Sequence, residues 1–173
     1  GGLVSPVLWT ITGEVVYGME GKADVSGDAI QWLQDGLGII HESGEAEGLA
    51  SQVPDTQGVF FVPAFGGLGA PHSDSYARGA MFGITRGTTK HHIARAALEA
   101  MAYQTRDFFE ILKRESGFEL NVLRADGYGA KSDFLVQFQA DILGIPVERP
   151  VITDTGALGV AYLAGLAVGY WQS

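Results

Sequence analysis

The sequence contains no cysteine, so disulfide scaffolds, thiolate metal sites and cysteine nucleophiles are all excluded. It is also poor in basic residues: eleven Lys and Arg stand against twenty Asp and Glu, which gives a formal net charge of −9. Without a basic face, we expect neither a strong general affinity for nucleic acid nor binding to an anionic membrane surface. The lack of cysteine is compatible with a reducing compartment, and we expect a cytoplasmic protein.

The sequence shows no recognisable leader. It begins Gly1-Gly2-Leu3, with neither a Met nor a basic segment, which suggests a piece of a longer protein. The longest uncharged run, Thr155 to Ser173, has the length of a membrane span, but it contains four glycines and lacks flanking basic residues. A buried helix is therefore the interpretation that we favour for this run.

Hydrophobic residues make up 46% of the 173 residues, which is enough for a substantial core. In the first part of the chain, β-rich patterns at 7–11 and 14–17 predict a hairpin. A helix is then expected to begin at Ser26 or Asp28, either of which can cap it. Its apolar positions recur at spacings of three and four, which places these residues on the inward face: Ile30, Leu33 and Leu37.

The second half of the chain alternates strands with helices. The longest helix is expected to begin after Thr88 or Thr89 and to end at Gly117. Its apolar stripe comprises Ile93, Ala97, Met101, Phe108 and Leu112. Further strands are predicted at 59–62, 81–84, 120–125 and 147–151, and further helices at 131–143 and 157–167. Alternation of this kind indicates one α/β domain built in layers.

A glycine-rich turn between a strand and a helix is the most suggestive local feature. The stretch 126–129 reads Asp-Gly-Tyr-Gly and separates the predicted strand at 120–125 from the helix at 131–143. Such a turn directs backbone N–H groups toward an anion at a helix N-terminus, and its glycines permit close approach of a ligand. Neither a P-loop nor a complete Gly-x-Gly-x-x-Gly pattern is present, so an ordinary turn remains the more common interpretation.

Other polar residues carry weaker signals. Asp126 could hold a metal or a ligand hydroxyl, although a turn carboxylate more often bonds its own backbone. Asp74 and Arg78 lie in or beside the long loop at 66–75, where they could contact a substrate, form a loop salt bridge or be solvated.

Histidine and tryptophan residues give no site by themselves. His91 and His92 are adjacent on a helix start and point in different directions, so capping or exposure explains them better than zinc binding. The three tryptophans are scattered and are expected to pack rather than to stack on a ligand; they are Trp9, Trp32 and Trp171.

A set of short motifs resembles the C-terminal signature of the FGGY family of carbohydrate kinases. The central stretch at 79–99 contains GAMFGITRG followed by HIARAALE. Supporting stretches are GAP at 69–71, YARGA at 76–80, AYQTRD at 102–107, QFQADILG at 137–144, VERP at 147–150, ALG at 157–159 and YLAGLAVG at 162–169. The resemblance covers essentially the whole chain, and within the family it is strongest to the glycerol kinases.

The resemblance implies an α/β domain of the ribonuclease H-like type found in actin and hexokinase, with a mixed sheet flanked by helices. Two such domains surround a cleft in which ATP and Mg²⁺ bind and a polyol hydroxyl attacks the γ-phosphate. Residues 1–173 are similar to part of the C-terminal, nucleotide-side domain, without its first strands and its last segment. The family's catalytic Asp and phosphate-binding turn would precede Gly1, so we expect no catalytic residue and no metal ligand here.

On the adenosine side, Gly27 and Gln31 match family positions beside the nucleotide. The family turn Asp-Gly-Gly-Ala-x-x-Asn reads DGYGAKS at 126–132. Tyr128 thus replaces a glycine that packs against adenosine, and Ser132 replaces an asparagine that contacts adenine. The resemblance therefore implies a nucleotide site formed by Gly27, Gln31, Gly127, Tyr128 and Ser132.

Tyr128 leaves three interpretations open. Its ring could stack on the base, block the site, or lie exposed without effect. We favour blocking, because Ser132 also lacks the amide that matches the edge of adenine.

The expected function is that of the nucleotide-side domain of a glycerol kinase-like enzyme that phosphorylates glycerol or a related polyol. The alternatives are a degenerate kinase-fold module with a binding or regulatory role, and a kinase for another sugar. Alone, the chain is expected to be inactive. An unpaired sheet edge and exposed apolar surface would also favour self-association, so we expect a homo-oligomer.

Overall fold

The computed structural model describes residues 3–11, 13–21 and 27–172. The chain starts with β1 (Val7–Ile11) and β2 (Glu14–Tyr17), which pair antiparallel across a turn that contains Gly13. Gly13 adopts a φ of +85°, a conformation that favours glycine. The predicted hairpin is confirmed, but it stands apart from the core, since Trp9 is half-exposed and Tyr17 is exposed.

Two helices follow, α1 (Asp28–Asp35) and α2 (Glu45–Ala50). Ile30 and Leu33 are buried as predicted, but Asp28 is not the cap, because Gly27 occupies the cap position without a side-chain hydrogen bond. The alternative cap, Ser26, lies outside the described residues. The inward placement of Leu37 is wrong: α1 has ended at Gly36, so the helical periodicity no longer applies and Leu37 is exposed.

The strands β3 (Phe60–Val62) and β4 (Ala80–Phe82) pair antiparallel, and the 27-residue helix α3 (Lys90–Ser116) follows. Thr89 is the cap of α3, and its backbone N–H donates to Nδ1 of His92 at 3.1 Å. Gly117 ends the helix in the left-handed conformation. Both ends of α3 were thus predicted correctly, and the histidine pair serves capping as expected.

The core lies where α1, α2 and β3 pack on α3. The face of α3 that enters this core is rich in alanine, and small side chains let the neighbouring helices approach closely. The buried alanines are Ala94, Ala96, Ala97, Ala100 and Ala102. Ala97 of the predicted stripe is fully buried, whereas the larger stripe residues are partly buried.

The last part comprises β5 (Leu123–Arg124), α4 (Asp133–Leu143), β6 (Val147–Glu148) and α5 (Thr155–Ala167). β5 and β6 pair parallel, so the described residues contain three two-stranded sheets, two antiparallel and one parallel. Both strands are shorter than predicted. The helix predicted from 131 begins at Asp133, because Gly129–Lys131 forms a separate 3-10 turn.

The burial predicted for the apolar C-terminal helix is wrong. None of the 13 residues of α5 is buried, and Val160 and Leu163 are more than half exposed. Apolar composition produces burial only where a partner surface exists, and no other described helix or strand packs extensively on α5. Its packing comes from the segment behind it, where Trp171 contacts the ring of Tyr162 edge-on. Among the described helices, none combines the length and the apolar character that a membrane crossing requires.

Candidate functional site

A cavity of about 460 Å³ lies between α1, the start of α2, α3 and the turn that precedes α4. Its volume falls within the range of small-molecule sites, which is roughly 300–1,000 Å³. Three residues of the predicted nucleotide site line it, namely Gly27, Tyr128 and Ser132. They come from stretches separated by a hundred positions, so the fold gathers most of the predicted site at one place.

The inner wall of this cavity is apolar. Ile30 from α1, Leu98 and Met101 from α3, and Leu135 from α4 contribute to it. The polar groups that line it include Ser43, Glu47, Thr105, Asp126, Lys131 and Gln139. An apolar wall with a few convergent polar groups suits a flat, partly polar ligand such as a heterocyclic base.

The first turn of α4 is already occupied by hydrogen-bond acceptors from this chain. Oε1 of Glu47 accepts from the backbone N–H of Phe134 at 2.8 Å, and Oγ of Ser132 accepts from the N–H of Leu135 at 3.1 Å. A carboxylate at a helix N-terminus takes the place that an external anion would occupy. These two amides are therefore not free for a phosphate, contrary to what the glycine-rich turn suggested.

Ser132 combines a structural role with a place in the cavity wall. It is the N-cap of α4, and the cap uses its hydroxyl oxygen as an acceptor. A hydroxyl also carries one hydrogen that it can donate. Ser132 can therefore hold the helix and still donate to a ligand in the cavity.

Tyr128 stands at the mouth of the cavity with 66% of its surface exposed. The Nζ atom of Lys131 lies 5.5 Å from the centroid of its ring, a cation–π distance. At the hydroxyl end of the ring, the Tyr128 oxygen would lie 3.9 Å from a Cβ atom placed on Gly44. The ring thus extends from the turn before α4 toward the start of α2.

The other two predicted site residues lie outside the cavity wall. The N–H of Gly127, whose φ is +80°, donates to the carbonyl of Thr153 at 2.8 Å. Gln31 is exposed, and its Nε2 donates to Oδ2 of Asp35 at 3.2 Å. It faces a shallow groove beside Trp32 instead.

Asp126 lines the cavity but already has a partner, because its carboxylate accepts from the hydroxyl of Thr155 at the start of α5. This bond links the turn to α5, rather than to the turn's own backbone. Within the residues that the structure describes, no three His, Asp or Glu side chains are arranged as a metal site.

The long-loop residues Asp74 and Arg78 stabilise the loop itself. Oδ1 of Asp74 accepts from the N–H groups of Tyr76 and Ala77, and Nη1 of Arg78 donates to the carbonyls of Ser75 and Ala77. Of the tryptophans, Trp32 stacks on Phe61 with ring centroids 5.6 Å apart, and Trp171 packs on the aromatic rings near it. Both tryptophans pack as expected.

A second cavity, of about 360 Å³, lies against another face of α3. At its edge, Nε2 of His72 lies 3.1 Å from Oδ2 of Asp107. Burial, together with the nearby carboxylate of Glu99, raises the pKa of Tyr103 above its usual value of 10.0. This cavity contains none of the predicted site residues.

The sequence missed two residues of the first cavity, Glu47 and Gly44. Glu47 lies in a polar, acidic stretch that resembles a solvated surface, and its partner Phe134 is 87 positions away. Nothing in the sequence around Gly44 marks it as a neighbour of Tyr128. Only the packing of α2 against α3 brings both residues to the cavity.

Comparison with known proteins reveals extensive similarity. The chain is 58% identical over 171 residues to glycerol kinase 2 of Thermotoga maritima and 56% identical over 172 residues to the glycerol kinase of Bacillus mycoides. Each match covers 99% of this chain, and 34% and 35% of those proteins respectively. The chain therefore spans about a third of the length of the curated relatives it matches.

Solved structures give the same fold. The crystal structure of Plasmodium falciparum glycerol kinase with ADP superposes with a TM-score of 0.87 at 35% identity, over 99% of this chain and 34% of that one. A ligand-bound xylulose kinase from Lactobacillus acidophilus, 24% identical, superposes with a TM-score of 0.75 over the same shares of the two chains. The predicted ribonuclease H-like α/β class is confirmed.

The profile of the FGGY family of carbohydrate kinases, C-terminal domain, matches residues 4–168. This stretch includes the long helix α3, the glycine-rich turn and all of α5. The chain therefore belongs to the FGGY family of carbohydrate kinases and carries its C-terminal domain.

Proposed function

We propose that the cavity beside α4 binds the nucleoside part of ATP, and that this chain is the nucleotide-side domain of a kinase for glycerol or a related polyol. One observation carries the proposal: Gly27, Tyr128 and Ser132 meet at one cavity in a chain that is 58% identical to a glycerol kinase. Of the two solved structures compared above, the one with the higher TM-score is a glycerol kinase crystallised with ADP.

The charges around the cavity favour one orientation of the nucleotide. Glu47 and Asp126 bring two carboxylates to the cavity wall against the cation of Lys131, whose Nζ lies over the Tyr128 ring. The amides of Phe134 and Leu135 at the start of α4 are already bonded. Phosphates would be repelled there, whereas a neutral base can pack on the apolar wall. The base therefore enters first and the phosphates point outward, where γ-phosphate transfer takes place.

The contribution of this chain to catalysis is positional. Phosphoryl transfer depends on holding the nucleotide and the acceptor hydroxyl in line and on stabilising the charge that develops. This domain holds the base: Gly27, Tyr128 and Ser132 line the cavity. Gln31 and Gly127, which lie outside the cavity wall, complete the set of nucleotide-site residues that we propose. We include Mg²⁺, which would neutralise phosphate charge when bound, and assign it no ligand in this chain.

Four further proposals accompany this function. Residues 1–173 form part of a single C-terminal domain, and the protein acts in the cytoplasm. The chain alone lacks kinase activity, because it supplies the nucleoside pocket and not the reacting groups. It also self-associates, because α5 and the β1–β2 hairpin expose apolar side chains.

The experiment that tests this function uses the full-length protein. ADP formation from ATP is measured with glycerol, xylulose or gluconate as the acceptor, and without an acceptor. We expect turnover with glycerol well above that with either sugar derivative. Turnover confined to xylulose or gluconate would refute the polyol assignment and favour another sugar kinase, a possibility that the fold likeness to such enzymes raises. Nucleotide binding without transfer to any acceptor would favour a regulatory module.

A further inference from the structure

We propose that Tyr128 and Gly44 form a matched pair across the mouth of the nucleoside cavity. The absent side chain at Gly44 leaves room for the Tyr128 ring, and the ring supplies the surface on which the base stacks. This inference rests on the proposed function, because it assigns a role in nucleotide recognition to two residues of that cavity.

The backbone at Gly44 does not require glycine. Its φ of −66° and ψ of −24° are helical values that any residue adopts. Space limits only the size of a side chain there: in the described part of the chain, the one heavy atom outside its sequence neighbours within 4 Å of a Cβ atom placed on Gly44 is the Tyr128 hydroxyl oxygen, at 3.9 Å, an ordinary van der Waals distance. An alanine would just touch that oxygen, and a larger side chain would compete with the ring for the same space.

The Tyr128 ring is held without strain. Its φ of −63° and ψ of −41° are ordinary helical values. Lys131 approaches the ring at a cation–π distance, and the hydroxyl end reaches toward Gly44 on the other side of the mouth. The contact on the ring in the described part of the chain is therefore that of Lys131, which leaves the rest of the ring free to meet a ligand.

The ring leaves the cavity open. With Tyr128 in place the cavity still measures about 460 Å³, and two-thirds of the residue surface is exposed. A blocking side chain would fill that volume and be buried by its walls. The geometry therefore points to stacking, and the blocking role that the sequence favoured is replaced by this proposal.

An exchange of side chains tests the pair. We measure binding of ADP and of adenosine by calorimetry to the full-length protein and to Tyr128→Gly, Gly44→Tyr and the double variant that carries both changes. Tyr128→Gly should weaken adenosine binding by roughly 5- to 100-fold, the range given by loss of one base–aromatic contact. Gly44→Tyr should weaken it too, because two rings then crowd one space.

The double variant is the decisive measurement. Its ring enters from the opposite side of the mouth, so adenosine should bind more tightly than to either single variant. Tyr128→Phe should bind adenosine within about twofold of the original protein, because the ring face is kept. Tyr76→Ala serves as the matched control, since this tyrosine is 88% exposed and outside the cavity. Thermal unfolding of each variant checks that it is folded.

The outcomes separate this inference from the function on which it rests. Tighter adenosine binding in Tyr128→Gly than in the original protein would show that the ring blocks, and would overturn the pair. The pair would also be overturned if the double variant lost adenosine affinity by the sum of the losses in the two single variants. An original protein that binds neither ADP nor adenosine would overturn the nucleoside site together with the pair, whereas normal binding that no substitution alters would overturn the pair alone.

Discussion

Glu47 on α2 accepts a hydrogen bond from the backbone N–H of Phe134 in the first turn of α4, at 2.8 Å. The carboxylate lies at the positive end of the helix dipole, where a negative charge is favourable. Because Glu47 also lines the cavity of about 460 Å³, this contact links α2 to α4 beside it. Stability and ligand binding are therefore expected to respond together when it is removed.

Two substitutions of Glu47 distinguish how much its charge and its hydrogen bond each contribute to stability. Glu47→Ala leaves a partly buried N–H without its partner and should lower the free energy of unfolding by about 1–3 kcal/mol. Glu47→Gln keeps an acceptor and loses only the dipole interaction, about 0.3–1 kcal/mol. Urea unfolding of the full-length protein measures both, with Glu42→Ala as a control, because that side chain is exposed. If Glu47→Ala and Glu42→Ala were equally stable, the stabilising role of the Glu47–Phe134 hydrogen bond would be contradicted.

Ser132 should show two separable losses. Ser132→Ala removes the N-cap of α4, which costs about 1 kcal/mol of stability, and also removes the hydroxyl hydrogen available to a ligand. Ser132→Thr keeps both groups and should remain close to the original protein. Ser132→Asp restores the cap but offers no donor, so it should recover stability without recovering ADP affinity. Denaturant unfolding and calorimetry on the same samples distinguish the two roles; full recovery of affinity in Ser132→Asp would exclude a donor role.

Gly83 is expected to tolerate no side chain. Its φ is +77°, and a Cβ atom placed there would lie 1.9 Å from the carbonyl oxygen of Gly58. Left-handed strain of about 1–2 kcal/mol and overpacking of about 1–3 kcal/mol should add up in Gly83→Ala. Gly38→Ala is the matched control, because its φ is +63° and nothing lies within 4 Å of its Cβ position. If the midpoint of urea unfolding shifted no more in Gly83→Ala than in Gly38→Ala, the close contact between Gly83 and Gly58 would be contradicted.

Exposed apolar side chains on α5 should drive self-association of the 173-residue chain. Replacing Val160 and Leu163 by Ser removes two of them at positions that are 67% and 52% exposed. The variant should sediment as a smaller species than the original chain at equal concentration. An original chain that stays monomeric at high concentration and binds no apolar dye would refute the proposal.

Tyr103 should make stability fall at high pH. Burial, with Glu99 beside it, raises the pKa of Tyr103, so the folded state retains its proton more strongly than the unfolded state. The stabilisation is complete below the unfolded pKa of about 10 and is lost as the pH rises above it. Tyr103→Phe should flatten this part of the stability curve. The check is urea unfolding between pH 8 and 11, values that bracket the reference pKa of about 10.

Local chemistry made some elements predictable from sequence. The cap at Thr89, the stop at Gly117 and the turn with Gly13 each depend on residues within a few positions. Strand lengths were overestimated because pairing decides them. In the stretch 120–125, Leu123 and Arg124 pair in register with β6, and Ala125 adds one backbone hydrogen bond to Glu148. Burial of α5 was wrong because composition indicates an apolar surface but not whether a partner covers it.

The residues of the candidate site were also only partly predictable from the sequence. Gly27, Tyr128 and Ser132 came from a family resemblance, and the fold brings them to one cavity. Glu47 and Gly44 were missed because their partners lie more than eighty positions away in the chain. Contacts of that kind depend on how α2 packs on α3, and no local pattern encodes them.

Helix α3 separates the two cavities. At 1.5 Å per residue its 27 residues measure about 40 Å. Leu98, Met101 and Thr105 face the nucleoside cavity, whereas Tyr103 and Asp107 line the second cavity from nearly the opposite side. One helix therefore supplies a wall to each cavity, and its position sets the width of both.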